Sequence, residues 1–331
     1  MSETKTIEYF SHDDENVFWK EFQKLKDPKY ITSDNKSKTI THVKFHKFDK
    51  STLKTHFFHD NRHSYDKKLL FINCIFDDDT YFTEYNFIES ITFFNCTFNK
   101  TVYFELPKIT NTYDIRNSTF NGNVFFNQIT QEQSLNIEHT IFNSNVTIQR
   151  SKLNNCDFFD IDFKKSKLII TKTNLTGVRF NEIKWGSDYK ITRDTFRQLK
   201  EVMELQKNFI DSNYFHSLEL NEYKKQVSFF SSEWDKKLIL VINWIVSDFS
   251  RSWIRPLLFL LLGSIFLYMY LNYLGCIKNY SFNNFVLFFN PLSKSTSEEF
   301  SHIYGIWFLH KIVSGFFVYH LIVSLKRYFK H

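Results

Sequence analysis

Glycine and proline are scarce in this chain, seven and four residues among 331. That scarcity excludes a glycine-rich loop protein and a proline-rich disordered tail. Four cysteines are too few for a disulfide framework, and three of them, Cys74, Cys96 and Cys156, share one position two residues before a Phe, where Ser118 and Thr140 stand elsewhere. Such a slot is expected of small buried core residues and not of a redox or metal centre. The net charge is +6 with no dense basic stripe, so no nucleic-acid partner is expected. No Ser/His/Asp, Cys/His, paired-carboxylate, Gly-rich phosphate-loop or Cys-x-x-Cys arrangement stands out, and neither an enzyme nor a cofactor is expected. The first thirty residues are charged throughout and hold no apolar run, so no secretory leader is expected and the N-terminus is expected to stay in the cytoplasm.

What the chain has is aromatic residues, 19% of the total and 40 of them Phe. Four stretches repeat at a fixed interval of 22 residues: Asn73-Cys74-Ile75-Phe76, Asn95-Cys96-Thr97-Phe98, Asn117-Ser118-Thr119-Phe120 and His139-Thr140-Ile141-Phe142. Large residues recur five positions on either side, Phe71 and Tyr81, Phe93 and Tyr103, Ile115 and Phe125, then Ile137. From Leu153 through Phe158, Phe163 and Leu168 the spacing is an unbroken five, each with a small or apolar partner two before it (Ser151, Cys156, Ile161, Ser166), and Thr173/Leu175, Val178/Phe180 and Ile183/Trp185 continue the pattern. Neither the helical period nor simple alternation gives a five-residue beat. A coil of four short faces does, each pointing its large residue and small partner inward, with a two-residue bulge at one corner making 22. The expected core rungs are Phe76, Phe98, Phe120, Phe142, Leu153, Phe158, Phe163 and Leu168. Coils of this kind cannot bury their apolar faces alone and must stack into a solenoid.

The small–polar–Leu/Phe–polar–polar pattern resembles the pentapeptide-repeat family, most clearly over Ser151–Leu168 and Thr173–Trp185, and it is degenerate in the first four coils. The resemblance implies a right-handed quadrilateral β-helix over residues 69–186, a rod of about 25–30 Å. Some members of the family mimic DNA and bind type II topoisomerases, a use that requires a strongly acidic surface. Residues 69–186 hold 13 acidic and 11 basic side chains, so this remains the remote alternative, and Asp77-Asp78-Asp79 is read as a solvated corner.

Residues 1–68 read as an N-terminal cap with a short helix over 15–26, where Val17, Phe18, Phe22 and Leu25 have helical spacing, and a strand at 41–45. His56, His59 and His63 fall at i, i+3 and i+7, but without a matching Cys they are read as surface histidines. Residues 187–237 read as a helical hairpin closing the β-helix. Its first helix presents Phe196, Leu199, Met203 and Ile210 on one face, and its second runs from about Asn213 to Phe230.

Residues 238–331 read as a membrane region. Residues 256–277 contain no charge and are long enough to cross a bilayer; Arg251, Trp253 and Arg255 precede them. A second span is expected over 303–325, followed by Lys326-Arg327-Tyr328-Phe329-Lys330. With basic residues before the first span and after the second, both termini are expected on the cytoplasmic side. The apolar segment at 238–250 is too short to cross and is expected to lie in the interface, and 282–292 is similar. His310, Lys311, Ser314, His320 and Ser324 fall within about half the circumference of the second span and form the candidate polar face, a site for conduction or proton movement.

The order of parts, with Thr195-Phe196-Arg197-Gln198-Leu199-Lys200 after the repeats, Arg255-Pro256-Leu257 opening the first span and Asn290-Pro291 in the loop, resembles the bacterial pentapeptide-repeat membrane proteins with two C-terminal spans, often described as channel-like. The resemblance covers about residues 70–331 and implies an inner-membrane protein without catalytic residues. The expected function is a membrane-anchored scaffold whose β-helix binds a protein partner, held in the lipid bilayer as a homo-oligomer. The alternative is an oligomeric ion channel or membrane-perturbing effector gated by the β-helix.

Overall fold

The computed structural model describes residues 31–33, 37–45, 48, 64–65, 68–82, 86–87, 89–105, 112–130, 134–277, 281–290 and 303–326. The expected helix at 15–26, the His56/His59/His63 group, Pro291 and the basic residues after Lys326 lie outside them. The chain divides into two compact units, Met1–Val202 and Met203–His331.

The first unit is a β-solenoid of about five turns. Its widest sheet stacks β2 (Ser37–Thr41), β5 (Lys68–Ile72), β9 (Ile91–Phe94), β12 (Thr112–Arg116), β15 (Ser134–Glu138), β18 (Asn155–Phe159) and β20 (Val178–Asn181) in parallel, with β1 (Ile31–Ser33) antiparallel at one edge. A second ladder of two-residue strands stacks β3 (Lys44–Phe45), β6 (Ile75–Phe76), β10 (Thr97–Phe98), β13 (Thr119–Phe120) and β16 (Ile141–Phe142). The third stacks β7 (Thr80–Phe82), β11 (Val102–Glu105), β14 (Val124–Asn127), β17 (Val146–Gln149), β19 (Leu168–Thr171) and β21 (Tyr189–Ile191). Two further short strands, β4 (Ser64–Tyr65) and β8 (Asn86–Phe87), pair in parallel. Partners are 22 residues apart in most of the stack, as in Phe76, Phe98 and Phe120. The step shortens by one between β15 and β18, where Ser134 pairs with Asn155.

Corner chemistry follows from the backbone. After each of the seven parallel strands of the widest sheet the chain turns through a left-handed residue: His42, Asn73, Asn95, Asn117, His139, Asp160 and Glu182 all have φ between 46° and 57°. Asn, Asp and His tolerate this region better than most residues, which explains the recurring Asn of the repeat. The corner amide still reaches the next coil: Asn73 N donates to Phe94 O at 2.9 Å and Asn95 N to Arg116 O at 3.0 Å. Side chains stack as well, with Asn95 Nδ2 donating to Asn73 Oδ1 at 2.6 Å. A second file runs Asn143 to Asn121 to Asn99 to Asp77 at 2.9, 3.0 and 2.9 Å. Asp77-Asp78-Asp79 is therefore an ordered corner: Asp77 also pairs with Lys44 at 2.9 Å, and Asp79 accepts from Thr101 N at 3.0 Å.

Inside, rings stack coil on coil. Phe45, Phe76, Phe98, Phe120 and Phe142 have successive centroid distances of 5.0, 4.6, 4.6 and 5.1 Å, and Phe163 and Trp185 extend the column. Leu153, Phe158, Phe163 and Leu168 are buried, as are Ser151, Cys156, Ile161 and Ser166, so the five-residue beat places every one of these side chains inside. The small partners satisfy strand-end carbonyls: Ser118 Oγ donates to Arg116 O at 2.9 Å and accepts from Cys96 N at 3.1 Å, while Cys96 Sγ donates to Phe71 O. Burial raises the Cys156 thiol to about 11 and raises Cys96 as well, as expected of inert core thiols. Gly122 admits no side chain, because a Cβ there would lie 2.2 Å from the Lys100 carbonyl of the adjacent coil.

The third ladder departs from the expected parity. Val102, Phe104, Phe82 and Phe126 point inward, and Tyr81, Tyr103 and Phe125 form a half-exposed outer column with ring spacings of 4.8 and 5.0 Å. After Phe98 the five-residue beat would turn Thr101 and Tyr103 inward; the inward pair is instead Val102 and Phe104, one residue later, and a one-residue shift turns every side chain over.

After β21 comes helix α1 (Arg193–Leu205), whose Phe196, Leu199, Val202 and Met203 are buried. Gln198 Oε1 accepts from Leu175 N at 3.0 Å and Phe196 meets the Tyr189 ring edge-on, so the start of α1 covers the last coil. Ile210 does not share that face. It is exposed on the next helix, because Lys207 is left-handed and Asn208 caps a fresh start, accepting from Asp211 N at 3.2 Å.

The second unit holds α2 (Phe209–Gln226), α3 (Trp234–Ser247), α4 (Ile254–Tyr273), α5 (Phe282–Phe289) and α6 (Tyr304–Lys326). Helices α4 and α6 are long and apolar enough to cross a membrane, with mean hydropathies of 1.8 and 1.6 over their most apolar stretches. Tyr268 and Leu271 of α4, Phe288 of α5 and Trp307 of α6 share one apolar cluster with Ile277 and Ile303.

Phe98→Ala should lower stability by about 3–5 kcal/mol through the lost ring and the cavity left behind. Tyr103→Ala, on the outer column, should cost well under half of that. Thermal unfolding of the full chain in detergent measures both, and equal losses would contradict the inward–outward parity of the third ladder.

Candidate functional site

The five polar residues of the expected stripe on α6 turn inward. His310, Lys311, Ser314, His320 and Ser324 are each less than a tenth exposed, while Ile306, Leu309, Ile312, Val313, Tyr319 and Ile322 of the same helix face out. Their spacing explains the stripe: at 100° per residue, 310, 314 and 324 with 311 and 320 share one side.

Each finds its surroundings on a different element of this unit. His310 Nε2 lies 3.0 Å from Ser264 Oγ of α4 and 3.3 Å from Ser314 Oγ, and its ring stacks on Phe288 of α5 with centroids 4.2 Å apart. His320 Nδ1 lies 3.5 Å from Ser247 Oγ, at the end of α3, and meets Phe316 edge-on. Ser247 also donates to Asn243 O and accepts from Ser250 N at 2.9 Å, so it holds the turn Asp248-Phe249-Ser250, three consecutive left-handed residues. Ser324 is fully buried and its hydroxyl has no partner among the described residues.

Lys311 caps a helix. Its ammonium donates to Leu287 O at 3.0 Å and to Asn290 O, and it sits 4.8 Å over the Trp307 ring. These carbonyls lie at the C-terminal end of α5, where the aligned peptide dipoles favour a cation. Ser281 caps the other end, accepting from Asn284 N at 3.2 Å. Ser264, Ser247 and the α5 carbonyls were not singled out from sequence. The only trace of Ser264 is a lone hydroxyl in the middle of an apolar run.

Between α4 and α6 lies a groove of about 280 Å³, lined by apolar side chains with Gly263, Ser264, His310 and Ser314. On the solenoid, a crevice of about 310 Å³ lies where the coil interval shortens, lined by His139, Ile141, Asp160, Asp162, Lys165 and Lys184. His139 Nδ1 is 2.9 Å from Asp160 Oδ2, and His139, with Lys184 nearby, holds the Asp160 carboxyl below its ordinary value. Among the described residues no three His, Cys, Asp or Glu side chains come together as a metal site would need.

No protein-family model, no curated protein and no solved structure matches this chain.

Lys311→Ala removes charge-assisted hydrogen bonds to Leu287 O and Asn290 O at the end of α5, at a cost of about 1–3 kcal/mol. The expected outcome is a lower unfolding midpoint of the full chain in detergent, with Lys311→Arg retaining most of it. A midpoint unchanged by Lys311→Ala would contradict a capping role.

Proposed function

We propose that this chain is a membrane-anchored scaffold: a β-solenoid that binds a protein partner, held at a bilayer by α4 and α6. The observation that carries the reading is the inverted polarity of those two helices. Only 28% of the most apolar stretch of each is buried, yet Ser264, His310, Lys311, Ser314, His320 and Ser324 are inside. A core helix of a water-soluble protein buries its apolar side and exposes its polar one. The opposite arrangement suits hydrocarbon, where polar groups must find partners within the protein.

The finer reading takes the solenoid as a right-handed quadrilateral β-helix of the pentapeptide-repeat type, in a bacterial inner membrane with both termini cytoplasmic. Buried residues every five positions over 151–168 support the repeat assignment, and Arg251, Arg255 and Lys326 at corresponding ends of the two spans support the orientation. A homo-oligomer in the bilayer fits the exposed apolar faces of both spans. The half-exposed column of Tyr81, Tyr103 and Phe125 and the mixed-charge crevice at His139 are the surfaces offered to a partner. The channel reading is less favoured, because His310, Lys311, Ser314 and His320 of the α6 stripe are engaged by contacts within the same chain. Near-neutral charge over the repeats speaks against DNA mimicry.

The chain should resist extraction from membranes by alkaline carbonate. In intact cells Cys276, just beyond α4, should react with a membrane-impermeant maleimide from outside. Carbonate-soluble protein would overturn the anchor, and labelling of Cys276 only after permeabilisation would overturn the orientation.

A further inference from the structure

In the second unit, three cations beside α3 form no ion pair among the described residues. Lys224, in the last turn of α2, places Nζ 3.7 Å from the centroid of the Trp244 ring and 5.8 Å from that of Phe249. Lys237, in the first turn of α3, lies 5.5 Å over the Phe229 ring and donates to the Lys224 carbonyl. Arg255, at the start of α4, donates to Trp244 O at 3.2 Å.

Neighbouring cations on the same helices are matched: Lys225 with Glu222, Lys236 with Glu233, and Arg251 with Asp248 at 2.7 Å. Lys224, Lys237 and Arg255 have no carboxylate at ion-pair distance among the described residues, and Asp248, the acid that acts on Lys224, is engaged by Arg251. Burial first, then the nearby Lys237 charge, holds the Lys224 ammonium below its ordinary pKa, against a smaller opposite pull from Asp248, which is already paired with Arg251. An anion placed between the two lysines would relieve that repulsion.

The surroundings are apolar and exposed. Phe229, Phe230 and Trp234 precede or open α3, Leu238, Ile242 and Ile245 run along it, and Trp253 and Ile254 lead into α4. Cations beside a fringe of Trp, Phe and aliphatic side chains, next to the end of a membrane-length helix, match the depth profile of a phospholipid: phosphate at the charges, glycerol and acyl chains along the apolar side.

We propose that Lys224, Lys237 and Arg255 form a binding site for the headgroup of an anionic phospholipid, whose acyl chains lie along the exposed apolar face of α3 and the start of α4. The proposal rests on the reading of α4 and α6 as membrane spans. It makes α3 a lipid-gripping element at the cytoplasmic surface.

The test uses the full chain in nanodiscs of phosphatidylcholine with a minority of phosphatidylglycerol. After transfer to mild detergent and gel filtration, retained lipid is quantified by mass spectrometry. Phosphatidylglycerol should be enriched over its share of the disc by roughly tenfold, the scale expected of two lysines acting on one anionic lipid. Lys224→Gln with Lys237→Gln should abolish the enrichment, and Arg255→Gln alone should reduce it. Lys225→Gln with Lys236→Gln removes the same charge from the same helices and should leave it unchanged. Equal losses in the two double variants, or no enrichment in the unaltered chain, would overturn the site. So would displacement by millimolar inorganic phosphate, which would mean the acyl chains contribute nothing. A chain that resists carbonate extraction yet retains both lipids equally loses this site and keeps its anchor; a carbonate-soluble chain loses the anchor first.

Discussion

Every backbone amide hidden from water has to find a partner, and each half of this protein answers that demand differently. In the solenoid the partner is the neighbouring coil, so one interval has to hold around the whole turn, corners included. This is why the corner residues are left-handed and still donate forward, as Asn95 does to Arg116. Stacked Phe columns and Asn files follow from the same interval, since identical backbone positions in adjacent coils bring identical side chains face to face. Rings 4.6–5.1 Å apart along the Phe76 column add aromatic contacts of about 0.5–1.5 kcal/mol each to what burial already supplies.

In the second unit the helices satisfy their own backbones, and the demand moves to the helix ends and the few polar side chains. The carbonyl end of α5 is met by Lys311, its amide end by Ser281, and the end of α3 by a turn organised around Ser247. The histidines sit against hydroxyls of other helices. A stripe that looks functional on a helical wheel thus serves first to bind α3, α4, α5 and α6 to one another. Polar side chains are well suited to that task where apolar surface faces outward, because a hydroxyl or imidazole contact fixes which helix meets which in a way apolar contact alone does not.

Much of the solenoid was legible from spacing alone. The Phe column, the small slot at Cys74, Cys96, Ser118 and Thr140, and the inward residues from Ser151 to Leu168 follow from periodicity, because stacking imposes it on the sequence. The outer column of Tyr81, Tyr103 and Phe125 was misplaced, since a one-residue shift at the corner reverses parity while leaving the residue types large and aromatic on both faces. Ile210 was assigned to the wrong helix because the break at Lys207 carries neither Gly nor Pro. The two apolar helices were plain from their composition. The contacts of their polar residues were not, because Lys311 reaches main-chain carbonyls, which any sequence would present, and the hydroxyls that face the histidines are single serines in apolar surroundings.

The fixed interval also bears on how such a chain can change length. Duplicating one 22-residue coil would set a copy of each corner Asn, each Phe and each small slot over its original, so the inserted turn would inherit every contact it needs from both neighbours. A duplication off by one residue would keep its side chains inward only if a corner absorbed the difference, as happens between β15 and β18. The shortened step between β15 and β18 is the one place in the widest sheet, beyond β5, where the chain has departed from that unit, and it is there that the His139 crevice opens. A regular stack grows by copying; its irregular coil is where a surface of its own arises.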